Sequence, residues 1–86
     1  MHELSLLKDL LRKIESISQE NGGGRVVGVK VRLGALAHIS PGHFREHFVH
    51  GTKGTRAENS TLDIEVSQDA NEPHAQDILL ESVEVA

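Results

Sequence analysis

The first three residues, Met1, His2 and Glu3, bring several nitrogen donors close together along the chain. A free α-amine at Met1, the backbone amide nitrogen of His2 and the His2 imidazole can close fused chelate rings around one ion, with the three nitrogens in a plane. A fourth donor would complete a square, which Ni(II) and Cu(II) favour and which Zn(II), preferring a tetrahedron, does not. The stretch therefore points to a Ni(II) or Cu(II) site, although a histidine followed by an acid is also ordinary at a helix start.

A second group of candidate ligands is found among the six histidines of the chain. At about 100° per residue, His43, His47 and His50 fall within one narrow arc of a helix, beside an apolar line of two phenylalanines. Their imidazole nitrogens could hold a borderline metal such as zinc or nickel. The alternative is an amphipathic boundary at which half-polar rings border the core. His38 and His74 are expected to be solvated single residues.

The composition excludes several other kinds of site. Cysteine is absent, which rules out disulfides, thiolate catalysis and any zinc site with cysteine ligands. Acidic residues outnumber basic ones by 13 to 9, and the net charge of −4 argues against binding to nucleic acid or to an anionic membrane surface. No Ser-His-Asp order, pair of catalytic acids or cofactor loop can be assembled, so we do not expect an enzyme.

An amphipathic helix is predicted to position the N-terminal residues. One apolar face repeats with helical spacing at Leu4, Leu7, Leu11 and Ile14. Charged residues occupy the opposite face, so we predict a helix from Leu4 to Ile17, ended by the glycine-rich run at 21–24. Because charge interrupts this segment every few residues, it is typical of neither a signal peptide nor a membrane span, and we expect a cytoplasmic protein.

A strand and a second helix are predicted to follow. The stretch RVVGVKVRLG alternates between apolar and other residues, which predicts a strand over roughly 25–33 with its inward side chains at Val27, Val29, Val31 and Leu33. Ser40 then provides a helix N-cap and Pro41 the first helical residue. This second helix should be short, about three turns, and should end at Gly51.

Two more strands complete the predicted fold. The stretch TLDIEV predicts a strand with Leu62, Ile64 and Val66 inward, and residues 67–77 are polar and predict a loop. In the last stretch, ILLESVEV, Val83 and Val85 should point inward, while Glu81 breaks the alternation and indicates a bulge or an edge strand. The predicted class is α+β, with two amphipathic helices packed on one face of a three-stranded mixed sheet in the order α-β-α-β-β.

The size and apolar content of the chain limit its core. With 86 residues we expect a single domain. The core contains no Trp or Tyr, and the sole Met is the first residue. A thin core and an exposed third strand leave room for a homodimer or for strand exchange.

Several stretches taken together resemble the HypA/HybF family of nickel-incorporation proteins, which serves the maturation of nickel-iron hydrogenase and, in some organisms, of urease. These stretches are MHELSLL at the start, VVGVKVRLGALAHISP, HFREHF, the Gly-Thr and Ala-Glu pairs of 54–58, LDIEV and the terminal ESVEV. The resemblance covers nearly the whole chain except roughly 67–77.

The resemblance implies a nickel site and partners. Family members bind nickel through the N-terminal amine, the second-position histidine and nearby backbone amides, which correspond to Met1, His2 and Glu3 here. In some members a donor in the loop before the second helix assists, and Ser40 stands at that place. The implied cargo is Ni(II), the implied partners are a HypB-type GTPase and a hydrogenase large-subunit precursor, and the implied role is that of a nickel metallochaperone.

The chain departs from the family in one respect. Family members carry a zinc domain with two CxxC pairs between the second and third strands, where this chain has SQDANEPHAQD and no cysteine. We therefore interpret residues 1–86 as a single nickel-binding-type domain in which a short loop around 67–77 replaces the zinc domain. Two alternatives stay open: an interaction or regulatory domain that has lost metal transfer, and a metal site that has moved to the histidines of the second helix.

Overall fold

The computed structural model describes the backbone from His2 to Ala86 and the side-chain surroundings from Ser5 onward. Its elements are α1 (His2–Glu20), β1 (Val26–Leu33), α2 (Pro41–Gly51), β2 (Thr61–Val66) and β3 (Ile78–Val85). The predicted α+β class and the order α-β-α-β-β are confirmed. No helix in this described part of the chain is long and apolar enough to cross a membrane.

Helix α1 is longer at both ends than the predicted span from Leu4 to Ile17. Its buried face runs through Leu7, Leu10, Ile14 and Ser18, so the face continues one residue beyond the predicted end and the helix three residues beyond it. The expected glycine-rich run then stops it, because Gly22 and Gly23 adopt positive φ angles of 88° and 72°. The Gly23 N–H donates to the Ser18 carbonyl across this turn, with an N···O distance of 2.8 Å.

The three strands form one mixed sheet in the order β2-β1-β3. Strand β1 pairs in parallel with β2 and antiparallel with β3. A parallel pair needs a crossover connection, and α2 provides it. Helix α2 begins as predicted, with Ser40 as its N-cap and a proline at the helix start, and it ends at Gly51.

The predicted inward position of Val27 is wrong. Val27 is 46% exposed, whereas Val26 is 1% exposed. The register with β3 shifts between Val26 and Gly28, which pair with Val85 and Glu84, so β1 contains one extra residue there. Such a bulge reverses the alternation of inward and outward side chains. The predicted burial of Val66 is also wrong, since this last residue of β2 is 48% exposed.

The predicted irregularity at Glu81 is confirmed. Lys30 pairs with Ser82 and Val31 with Leu80, so Glu81 is the extra residue on β3. Strand β3 also lies at an edge of the sheet. Its later residues keep the predicted orientation, because Val83 and Val85 pack against the core.

The core lies between the sheet and the two helices, which pack on the same face. Phe44 and Phe48 of α2 are each 1% exposed and belong to one apolar cluster with residues of α1 and of the sheet. The cluster comprises Leu7, Leu10, Ile14, Val26, Val29, Val31, Leu33, Phe44, Phe48, Ala57, Leu62 and Ile78. The amphipathic patterns of both helices therefore converge on one hydrophobic layer.

Residues 67–77 form a hydrogen-bonded loop between β2 and β3. The Gly34 N–H donates to the Asp77 carbonyl at 2.9 Å, and the Leu36 N–H donates to the Ala75 carbonyl at 2.7 Å. An ion pair also joins the loop to β1, with 3.0 Å between Arg32 Nη2 and Glu72 Oε2. The loop thus packs across the end of β1.

Candidate functional site

The predicted N-terminal metal site lies at the start of α1. Met1 is outside the described residues, and so are the side chains of His2 and Glu3, so the proposed amine and imidazole ligands stay a prediction. The backbone is described from His2, which is the first residue of the helix. The first N–H groups of an α-helix have no carbonyl partner within it. The amide nitrogens of His2 and Glu3 are therefore not part of the helical hydrogen-bond ladder.

Contacts in the second half of α1 attach this helix to the rest of the domain. Ser18 is fully buried, and its hydroxyl donates to the Gly24 carbonyl at 2.7 Å. Glu15 accepts from Arg56 at 2.7 Å, which ties the helix to the segment between α2 and β2. These contacts lie several helical turns away from the predicted ligands at residues 1–3.

Ser40, the predicted auxiliary ligand, acts as the N-cap of α2. Its Oγ accepts from the His43 backbone N–H at 3.1 Å, and the residue is exposed. A serine oxygen has two lone pairs, and the cap occupies one of them. The hydroxyl therefore keeps one acceptor position while it caps the helix.

Two of the three predicted α2 histidines form a close pair. The Nε2 atoms of His43 and His47 lie 3.0 Å apart, and the ring centroids are 4.5 Å apart with an interplanar angle of 39°. His43 is exposed and His47 half-buried. A hydrogen bond at this distance requires one Nε2 to carry a proton and the other to present its lone pair, and the tautomers of the two rings decide which is which.

His50 does not join this pair. Among the side chains described from Ser5 onward, no group of three or more His, Asp and Glu residues is placed to hold one metal ion. His50 instead borders a shallow surface region with Val49 and Lys53. The helical spacing alone placed the three rings on one arc, whereas the side-chain conformations bring only His43 and His47 together.

The two loop histidines differ from each other. His38 is exposed, as expected, and has a positive φ of 58°. His74 is exposed but paired, with 2.9 Å between its Nδ1 and Asp77 Oδ2. The predicted solvent exposure of His74 is therefore confirmed, whereas the prediction that it stands alone is wrong. The three-residue spacing to Asp77 was the signal that could have indicated the pair.

Comparison with known proteins decides the family. The family model described as "Hydrogenase/urease nickel incorporation, metallochaperone, hypA" matches residues 1–72. The chain belongs to the HypA family. The HypA match includes Met1, His2 and Glu3 and extends through α1, β1, α2 and β2 into the following loop, while β3 lies beyond it.

Individual relatives agree with the HypA assignment. The chain is 38% identical over 66 residues to a protein named hydrogenase maturation factor HypA from Methylocella silvestris, covering 77% of this chain and 58% of that protein. A protein of the same name from Acidithiobacillus ferrooxidans is 44% identical over 64 residues, with coverages of 74% and 57%. An Archaeoglobus fulgidus protein, also so named, is 34% identical over 68 residues, with coverages of 79% and 62%. The matched region thus spans less than two thirds of each of these relatives.

Proposed function

We propose that this protein is a nickel metallochaperone that binds one Ni(II) ion at Met1, His2 and Glu3 and delivers it during maturation of nickel-iron hydrogenase or urease. The observation that carries the proposal is the family match, which begins at residue 1 and includes all three proposed ligands. The proposed role is binding and transfer of an ion, without covalent catalysis. The α-amine of Met1, the His2 imidazole and the backbone amides of His2 and Glu3 are the proposed donors.

The helix start supports the use of backbone amides as ligands. An amide nitrogen that binds Ni(II) must lose its proton, which inside a helix would remove a hydrogen bond. The N–H groups of the first helical residues have no such bond to lose, and α1 begins at His2. Nickel can therefore use these nitrogens without breaking the hydrogen-bond ladder of α1.

Transfer requires a site that releases its ion. A free α-amine at Met1 would be accessible to a partner protein, and the first buried side chain described in α1 is that of Leu7, beyond the proposed ligands. A partner that supplies stronger ligands could therefore take the ion without unfolding the domain. We propose a hydrogenase large-subunit precursor as the recipient and a HypB-type GTPase as the partner that assists the transfer.

The proposal is tested by adding one Gly-Ser pair before Met1. The extension converts the α-amine into an amide and removes one donor, while the described contacts of the fold are unchanged. We expect Ni(II) affinity measured by calorimetry to fall at least tenfold and a planar four-nitrogen Ni(II) spectrum to disappear. Equal affinities for the native and extended chains, with equal melting temperatures, would refute the proposed site.

Ser40 is proposed as an auxiliary ligand, and its two roles can be separated. Ser40→Ala removes both the helix cap and the oxygen donor, whereas Ser40→Asp keeps a good cap and provides a stronger oxygen ligand. If Ser40 assists nickel binding, the aspartate variant binds Ni(II) more tightly than the wild type and the alanine variant more weakly. Unchanged affinity in both variants would limit Ser40 to capping α2.

The alternative proposal is an interaction or regulatory domain of the maturation complex that no longer transfers metal. It is favoured by the absence of cysteine, because a zinc domain of the family's type cannot be built from this chain. His2→Ala separates the two proposals. Loss of hydrogenase activation with retained partner binding supports the metallochaperone, whereas unchanged activation and unchanged partner binding support the interaction domain.

A further inference from the structure

The His43 and His47 pair has the geometry of a metal chelate on the surface of α2. The two Nε2 atoms are 3.0 Å apart and come from residues one helical turn apart. At least one ring is freely accessible, because His43 is exposed and His47 is half-buried. The backbone of α2 is fixed beside each histidine, since Phe44 and Phe48, which directly follow His43 and His47, are each 1% exposed.

The separation of the two nitrogens indicates which coordination geometry fits. With metal–imidazole bonds of about 2.0–2.1 Å, nitrogens 3.0 Å apart subtend an angle of about 90–100° at a shared ion. Adjacent ligands in square-planar and octahedral complexes make angles of about 90°. A tetrahedral ion would need the nitrogens to move apart to about 3.3 Å. The spacing therefore suits Ni(II) and Cu(II) better than Zn(II).

Binding would require only local changes. In the structure the two Nε2 atoms lie within hydrogen-bond distance of each other. A metal ion bound to both would lie to one side of the line that joins them and would displace the proton that they share. Each neutral ring would then carry its single proton on Nδ1, and both Nε2 lone pairs would face the ion. The rings need to turn about their side-chain bonds, while the helix backbone stays in place.

We propose that His43 and His47 form a second, two-nitrogen site for Ni(II) or Cu(II) on the surface of α2. This site goes beyond the N-terminal nickel site and does not depend on it. Because the protein supplies two ligands, water fills the remaining positions, and the ion exchanges readily. His50 is not a ligand of this site, since the side-chain arrangement leaves it outside the pair.

The test uses a chain in which the N-terminal donors are removed by a Gly-Ser extension together with His2→Gln. Ni(II) and Cu(II) are titrated into this chain and followed by calorimetry and by paramagnetic broadening of histidine NMR signals. We expect one ion to bind, with broadening centred on His43 and His47. In the same background, His43→Gln or His47→Gln should weaken binding at least tenfold, whereas His50→Gln, on the same helix, should not.

Stability gives a second measurement. The pair is assembled only when α2 is folded, so a bound ion should raise the urea midpoint of unfolding. This increase should disappear in His43→Gln and persist in His50→Gln. Two results would overturn the proposal. One is equal metal affinity in all variants, and the other is an equal loss of metal affinity in the His43→Gln and His50→Gln variants. The N-terminal site is tested separately in a His43→Gln/His47→Gln chain that keeps His2 and has no Gly-Ser extension. Either proposal can therefore fail without the other.

Discussion

Replacement of Gly34 by alanine should destabilise the fold strongly. A Cβ at Gly34 would collide with the Ala75 carbonyl oxygen and would come within 2.7 Å of the His74 carbonyl oxygen. Both are backbone atoms, so relief requires the loop to move away from β1. That movement would weaken the 2.9 Å bond from the Gly34 N–H and the 2.7 Å bond from the Leu36 N–H. Overpacking and the loss of buried hydrogen bonds each cost about 1–3 kcal/mol, so we expect a total of about 2–6 kcal/mol.

Urea and thermal unfolding measure this cost against two glycine controls. For a domain of this size, about 2 kcal/mol lowers the melting temperature by roughly 8–16 °C. Gly42→Ala should instead stabilise by about 0.5–1 kcal/mol, because an added Cβ at this helical position meets no atom within 4 Å apart from its chain neighbours and the backbone of its own helix. Gly28→Ala should cost less than Gly34→Ala, because its nearest atom, at 2.8 Å, belongs to the movable Glu84 side chain. A Gly34→Ala variant as stable as the wild type would refute the proposed packing of the loop.

Three further predictions concern stability and are measured by urea unfolding. Ser18→Ala should cost about 1–3 kcal/mol, because this buried hydroxyl donates to a backbone carbonyl that would lose its partner; no measurable cost would contradict this role. Val26→Thr should cost at least about 1 kcal/mol and Val27→Thr less than about 0.5 kcal/mol, because only Val26 is buried; the reverse order would contradict the bulge. A double-mutant cycle on the partly exposed Arg32–Glu72 ion pair should give a coupling of at most about 1 kcal/mol that decreases with added salt, and a salt-independent coupling would show that the contact is not mainly electrostatic.

The elements of this fold could be predicted from local patterns. The spacing of Leu7 and Ile14 indicates the buried face of α1, and the Ser40–Pro41 pair indicates the start of α2, because both signals depend only on neighbours along the chain. The inward or outward position of a strand residue depends on pairing with another strand. Val27 violates the alternation because β1 bulges opposite β3. The neighbouring Gly28 was the one local signal of the bulge, since a glycine within a strand often marks one.

The candidate sites were predictable to different degrees. Helical spacing placed His43, His47 and His50 on one arc, and the structure pairs the first two at 3.0 Å. Which histidines meet depends on side-chain rotamers and on packing at the helix surface, and the spacing does not determine either. The N-terminal ligands were inferred from the chemistry of Met1 and His2, and what the structure adds is the helix start at His2.

The connection between β2 and β3 lies where the short loop is predicted to replace the family's zinc domain. Val66 at the end of β2 and Ile78 at the start of β3 both pair with Leu33, so the loop starts and finishes at the same end of the sheet. Two strand spacings amount to about 10 Å, which residues 67–77 span easily. The loop crosses β1 at Gly34, where two backbone hydrogen bonds fix it. A longer insertion at this position would enter and leave at this same end of the sheet. The proposed nickel ligands, Met1, His2 and Glu3, are not part of this loop, so the affinity for Ni(II) should depend on them rather than on the content of the loop.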